Sequence, residues 1–265
     1  MRARGILAFL LFSIPVPGQS SPPALQTWRR LPKFVLQDQK AIWTSPFHAG
    51  EAEASWWGIL GAAGAALIAT DKHTARQLPN TEDQVAVATW SSRIGAIYTL
   101  APLDAGLYLL GAAKHDGDLR EASFLCAEAM IDAAIAGNAV KVATQRERPT
   151  EGSGEGRFWR GSGRIWNAGS SFPSGHAIES WAFASVIARK YPRPVIVPAV
   201  AYGLAAIVSA SRFAARRHFA SDVVIGGVMG WFIGDYVYGK RHHRAGKQSA
   251  LRKALARVNF GFRLQ

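Results

Sequence analysis

Helix-length apolar segments follow one another along most of this chain, and they restrict its possible folds more than any other feature. The alternation of β-branched and polar residues that marks strands is weak throughout. The sequence therefore predicts an all-α fold, a six-helix bundle. Its helices are expected at about residues 52–70, 82–113, 119–145, 176–191, 195–211 and 219–238.

Local signals place the ends of the central helices. The capping pattern Thr81-x-x-Gln84 opens the second helix, which we expect to be kinked at Pro102. The third helix is expected to start at Asp118, with Glu121 three residues further on.

The N-terminus is typical of an export signal. Arg2 and Arg4 precede a short apolar run, so we expect residues 1–20 to be a signal peptide with cleavage near residues 18–21. After it we expect an interfacial or packing segment at residues 22–54, the helical domain at residues 55–239 and a solvated basic tail at residues 240–265.

Composition favours a membrane surface or a phosphate-bearing substrate as the partner. The net charge is +13, but the basic residues do not form a stripe with interleaved aromatics, so nucleic acid is not an expected partner. Cys126 is the only cysteine, which excludes a disulfide framework, and we expect it in the core. Glu128 and Asp132 share a helix face without a further ligand cluster, so neither a metal nor another cofactor is expected.

The signals for a lipid environment are mixed. The fifth and sixth helices have nearly uncharged apolar runs, and the basic residues near Arg189 follow the positive-inside pattern. Acidic residues along the third helix argue against lipid, because charges are costly there. We expect an exported protein on the periplasmic side of the inner membrane, whose first helix does not span. A soluble periplasmic bundle is the alternative.

Three short motifs within 82 residues carry the functional signal. They supply three cations, two imidazoles and one carboxylate, which a metal-free enzyme needs to hold a phosphoryl group, attack it and protonate the leaving group. The motifs are Lys141-x6-Arg148-Pro149, Pro173-Ser174-Gly175-His176 and Ser211-Arg212-x5-His218-x3-Asp222.

Within these motifs, residue type and spacing indicate separate roles. Positive side chains suit phosphate oxygens, and a serine and a glycine at a helix start suit an anion site of free N–H groups. His176 on that first turn can act as a general acid. His218 and Asp222 lie one helical turn apart, so the carboxylate can accept the imidazole N–H and leave the far nitrogen to attack phosphorus.

The three motifs, in this order, resemble the signature of the type 2 phosphatidic acid phosphatase (PAP2) superfamily, shared with bacterial class A acid phosphatases and vanadium haloperoxidases. The resemblance covers about residues 119–239, and every fixed position of the family's three-part pattern is present there. It implies a metal-independent helical bundle in which His218 forms a phosphohistidine, Asp222 orients it and His176 is the general acid. By the same resemblance, the phosphate oxygens are held by Lys141, Arg148, Ser174, Gly175 and Arg212.

We therefore expect a phosphatase that hydrolyses a phosphate monoester or pyrophosphate, with a lipid phosphate as the favoured substrate. A periplasmic acid phosphatase on small soluble monoesters and a vanadate-dependent haloperoxidase are the alternatives. The loop Gly152–Arg164 is either a lid over the site or a flexible connector.

Overall fold

The computed structural model describes residues 28–45, 51–160 and 170–261. These ranges are mainly helical and contain no strand, which confirms the all-α prediction. The predicted export signal, residues 1–20, lies outside them. In chain order the helices are α1 Leu31–Thr44, α2 Glu51–Gln77, α3 Glu82–Ser92, α4 Ile97–Ala113, α5 Gly117–Thr144, α6 Gly175–Lys190, α7 Ile196–Ala214 and α8 Ala220–Gly261.

Helices α5, α6 and α8 form the core of the bundle. Small residues line the buried face of α5, among them Ala129 and Ala133, and they pack against Ile178 and Val186 of α6. Cys126 is fully buried in this core, as predicted. Because the side chains at the contact are small, the three helix backbones can approach closely.

The contact between α6 and α8 is especially close. A Cβ atom added at Gly230 would lie 2.1 Å from the backbone oxygen of Ile178, and one added at Gly234 would lie 2.4 Å from that of Ala182. No other residue type fits at such distances. These glycines set the position of the start of α8 relative to the start of α6.

The predicted second helix, at 82–113, is divided in the structure. A 3-10 turn, Arg93–Gly95, separates α3 from α4, whereas Pro102 lies inside α4. At Gly95 an added Cβ would lie 2.4 Å from Val208 of α7, so the chain bends where it meets another helix. The structure thus divides the predicted helix at Arg93–Gly95, and the kink at Pro102 stays a prediction.

Two predicted caps have different outcomes. Thr81 caps α3, since its Oγ1 accepts a hydrogen bond from Gln84 N at 3.3 Å. Helix α5 is capped by Asp116, which accepts from Leu119 N at 3.0 Å, and not by Asp118. Asp118 instead pairs with Lys190 at the end of α6, 2.9 Å away.

The two ends of the bundle differ from the sequence-based boundaries. Helix α1 forms within the predicted packing segment, and α8 continues through residue 261. Lys240 and Arg241, expected at the start of a solvated tail, both pair with the buried Asp38 of α1. The predicted domain boundary at residue 240 therefore lies inside α8, and the residues directly after it still pack against the bundle.

Three helical segments in the described ranges are long and apolar enough to cross a membrane: 82–113, 117–144 and 196–214. The most apolar stretches of the first and the third are only 28% and 17% buried by the rest of the protein. Their exposed side chains include Trp90, Leu103 and Ile207. Apolar helix faces of this extent favour lipid as their surroundings, so this is a membrane protein. Helix α2 is not among these three segments.

Substitution of Gly230 tests the close helix contact. We expect Gly230→Ala to lower stability by about 1–3 kcal/mol or more, because the methyl group would overlap the α6 backbone. The matched control is Gly239→Ala, where an added Cβ meets nothing within 4 Å and the expected change is at most a gain of about 1 kcal/mol. Thermal unfolding in detergent measures both, and equal midpoints would contradict this packing.

Candidate active site

The candidate active site lies where α5 and α7 end and α6 and α8 begin. Lys141, on the last turns of α5, is 9% exposed, and its Nζ donates to the backbone oxygens of Ser170 and Pro173 at 3.1 and 2.5 Å. The first motif thereby holds the segment that leads into the second. Ser174 N donates to the Asp222 backbone oxygen at 2.9 Å, which joins the second motif to the third.

Arg148 turns back toward the same place. Gln145, in the left-handed conformation at φ 41°, ends α5 and reverses the chain. The Arg148 Nη1 donates to the backbone oxygen of Arg217 at 3.3 Å, beside the third motif. Burial lowers the pKa of Arg148, and Arg217 adds to the effect, whereas Glu151 opposes it.

Two buried polar atoms face this region without a partner among the described residues. They are Ser174 Oγ and Arg212 Nε. Ser174 is the N-cap residue of α6, but its side chain makes no capping bond. Buried polar atoms are nearly always hydrogen-bonded in folded proteins, so an unpaired hydroxyl and guanidinium N–H fit an anionic ligand.

Gly175 opens α6 with free space beside it. An added Cβ would meet nothing within 4 Å, so protein packing does not require glycine here. The residue lies at the helix N-terminus, where backbone N–H groups are unpaired and favour an anion. This geometry fits the anion site of free N–H groups that the sequence predicts at this helix start.

His218 is 3% exposed and held in one orientation. Its Nδ1 lies 2.7 Å from the backbone oxygen of Ser171, which only accepts, so Nδ1 carries the proton. The remaining nitrogen, Nε2, then has the free lone pair that a nucleophile needs. Burial lowers the pKa of His218 to about 3, and the charges of Lys141 and Arg148 act in the same direction.

Asp222 is fully buried but is not the direct acceptor for the imidazole that the spacing predicts. Its Oδ2 lies 3.7 Å from His218 Nδ1, beyond hydrogen-bond distance, and accepts from the Ser171 hydroxyl and from Phe219 N. Burial alone would raise the pKa of Asp222, but His218, Arg146 and Ser171 together hold it below its usual value. The carboxylate thus acts on the ring through its charge and through Ser171.

The charges of the same cations act on His176 and on His218. Burial lowers the pKa of His176 to about 4, and Arg212, Lys141 and Arg148 contribute in that order. Lys141 and Arg148 also act on His218. The two imidazoles and the three motif cations therefore belong to one electrostatic site.

Sequence reasoning missed the residues that surround Asp222. Arg146 is 1% exposed and donates from Nη1 to Asp222 Oδ1 at 2.7 Å and from Nη2 to Asp71 Oδ2 at 2.7 Å. Ser171 and Ser221 complete the hydrogen bonds around these groups. Arg146 lies inside the first motif, two positions before Arg148, so the sequence could have suggested that it belongs to the site. Asp71 lies in no motif, and no sequence pattern predicts its role.

The loop that follows α5 is attached to the protein in its described part. Trp159 N and Arg160 N donate to the backbone oxygens of Thr144 and Gln145 at 2.8 and 3.0 Å. Arg157 pairs with Glu155, which also pairs with Lys72 of α2. Through residue 160 the loop is fixed against α5 and α2, and residues 161–169 lie outside the described ranges.

A second acidic cluster lies away from the motifs. Asp38 joins Glu128 and Asp132, with their oxygens within 4.8 Å of one another, so the expectation that no further ligand accompanies this pair was wrong. Arg241 pairs with Glu128 and Asp38, and Lys240 also pairs with Asp38. Two cations of the protein thus already pair with Asp38 and Glu128, two of the three carboxylates.

Comparison with known proteins identifies the region that contains the motifs. The PAP2 superfamily model matches residues 122–244, which include all three motifs and support a phosphatase activity. The resemblance inferred from the motifs is thereby confirmed. No curated protein sequence matches the chain.

Two solved structures align with the chain at low identity. One is a transmembrane PAP2 type phosphatidylglycerolphosphate phosphatase from Bacillus subtilis, with 19% identity and a TM-score of 0.49 over 81% of this chain and 96% of that chain. The other is LpxE from Aquifex aeolicus, with 18% identity and a TM-score of 0.44 over 60% of this chain and 87% of that chain.

Anion binding should change the titration of His176. In the free protein, burial and three cations disfavour the charged ring and hold its pKa at about 4. Inorganic phosphate among those cations should raise the pKa toward the ordinary value of about 6.5, because its negative charge favours imidazolium. Histidine-labelled protein in detergent, titrated by NMR with and without phosphate, measures the shift. The variant His176→Gln assigns the signal, and an unchanged pKa at saturating phosphate would contradict a shared anion site.

Proposed function

We propose that this protein, whose residues 122–244 match the PAP2 superfamily model, is a metal-independent lipid phosphatase that acts through a phosphohistidine at His218. Its substrates are phosphate monoesters or pyrophosphates of lipids. The observation that carries the proposal is the orientation of His218, whose Nδ1 donates to the Ser171 backbone oxygen beside the motif cations.

In the first step, substrate phosphate binds to Lys141, Arg148 and Arg212. The Ser174 hydroxyl and the Gly175 N–H complete the set of donors. Nε2 of His218 attacks phosphorus as the bond between phosphorus and the leaving oxygen breaks, and His176 gives its proton to that oxygen. The positive charge that develops on His218 is stabilised by Asp222, 3.7 Å away.

In the second step, the neutral His176 takes a proton from water, and the oxygen of that water attacks phosphorus. The bond between phosphorus and Nε2 breaks, which releases inorganic phosphate and restores His218. Atoms and protons balance without a metal, because the cations supply the charge that a metal ion would otherwise provide.

A lipid substrate is supported by the surroundings of the site. Arg212 ends α7, whose most apolar stretch is only 17% buried by the protein. Its Nη1 lies 3.3 Å from Ser92 Oγ, at the end of α3, where Trp90 is 67% exposed. Membrane-facing helices therefore deliver phosphate-binding residues directly. We also propose that the site faces the outside of the inner membrane, in line with the predicted export signal.

Substitution of the nucleophile tests the chemistry. His218→Ala should lower phosphate release on the order of 10³-fold or more, and Asp222→Asn should lower it by orders of magnitude. His73→Ala, at an exposed histidine of α2, is the matched control and should retain activity. The measurement is the rate of phosphate release by the wild type and the three variants, compared only where thermal unfolding shows equal stability. Turnover that persists in His218→Ala would exclude the nucleophile, and strong inhibition by EDTA would exclude a metal-independent mechanism.

A substrate panel tests the lipid class. Phosphatidic acid, phosphatidylglycerophosphate, undecaprenyl pyrophosphate and p-nitrophenyl phosphate are compared in detergent and in its absence. We expect kcat/KM to be highest for a lipid, because membrane-facing helices carry Arg212 and its partner Ser92. Equal or greater kcat/KM for p-nitrophenyl phosphate would instead favour a phosphatase for small soluble monoesters.

A further inference from the structure

We propose that Asp71, which lies on α2 and outside the matched superfamily region, is a positioning residue that keeps the charge of Asp222 available to His218. The inference rests on the proposed function and names a residue that the three motifs do not contain. It depends on the buried group Asp71–Arg146–Asp222.

Arg146 is the centre of this group and is fixed on all sides. Its Nε donates to the Gly156 oxygen at 3.0 Å, and its guanidinium lies between the rings of Phe158 and Phe219, 4.8 and 4.5 Å from their centroids. One edge meets Asp222 and the other meets Asp71. The guanidinium therefore cannot move toward one carboxylate without breaking contacts with the other.

Asp71 is equally well fixed from the side of α2. Its Oδ1 accepts from Ser221 N at 3.0 Å, and its Oδ2 accepts from Ser221 Oγ as well as from Arg146. Next to it, Lys72 pairs with Glu155, and Arg216 Nη1 donates to the Ala75 and Leu78 oxygens at 3.2 and 3.1 Å. The end of α2 is thus joined to both loops that carry motif residues.

The charges of the group explain why a second carboxylate is needed. Asp222 and Arg146 alone would form a neutral pair, and the carboxylate would have little charge left to stabilise a positive imidazole. With Asp71 the buried group has two negative charges and one positive, a net charge of −1. That surplus is balanced when His218 becomes positive on bonding to phosphorus.

The variant Asp71→Asn removes the charge and keeps the size of the side chain. A unit charge buried beside the Arg146–Asp222 pair changes a rate on the order of 10- to 100-fold. We expect kcat to fall by that factor while KM stays within about threefold. Vanadate, which mimics the transition state and bonds to the nucleophile, should bind 10- to 100-fold more weakly. Inorganic phosphate should bind as before, because none of its proposed ligands touches Asp71.

A matched control separates this effect from general destabilisation. Asp38 is also fully buried and pairs with an arginine, Arg241, but it contacts α5 at Glu128 and Asp132. Asp132 precedes Lys141 by nine residues, about 14 Å along the helix. Asp38→Asn should lower the melting temperature as Asp71→Asn does, yet leave kcat and the ratio of vanadate to phosphate affinity unchanged.

A second pair of variants keeps the test decisive if Asp71→Asn does not fold. Asp71→Glu and Asp71→Gln have the same size and differ in charge, so the Glu variant should retain at least tenfold more activity. Equal activity of that pair, or equal loss of vanadate and phosphate affinity in Asp71→Asn, would overturn the inference and leave the phosphatase proposal intact.

A wild-type protein that releases no phosphate would refute the phosphatase proposal. Anion affinities measured by calorimetry would then still test the role of Asp71.

Discussion

Close contact between α6 and α8 brings together the two helix starts that carry or follow the histidines of the site. Glycines on α8 bring its backbone against that of α6, and at Gly226 an added Cβ would lie 3.0 Å from the Ser174 oxygen. The start of α6 carries Ser174 and His176, and the start of α8 follows His218. Because the two helix starts lie side by side, an anion at the N-terminus of α6 would also lie next to His218, the proposed nucleophile, which directly precedes α8.

The site combines a cluster of positive side chains with the buried, negatively charged group Asp71–Arg146–Asp222. Lys141, Arg148 and Arg212 disfavour a charged imidazole before an anion binds. Next to the proposed nucleophile His218, Asp222 favours the charged ring. In the proposed mechanism, the binding of phosphate between these two regions shifts the balance toward imidazolium, so the substrate itself helps to prepare the acid that protonates its leaving group.

Local features were predictable from the sequence, and long-range pairs were not. The motif residues lie near helix ends, and Pro149 and Pro173 stand beside two of these ends in the sequence, so their elements could be inferred from neighbouring residues. The bend at Gly95 depends on Val208 of a distant helix. Likewise, Asp71 and Arg146 are 75 positions apart, and Asp38 and Arg241 are 203 apart. No periodicity or spacing rule relates such residues, because their pairing results from how complete helices pack.

The embedding of Arg241 determines where the polypeptide can be shortened. Its guanidinium, 2% exposed, is the counter-ion of Glu128 and Asp38 inside the bundle, although it belongs to a run of basic residues. A shortened version that stopped at residue 239 would leave buried carboxylates without their cations, at a cost of several kcal/mol. Stop codons for expression trials therefore belong beyond residue 241.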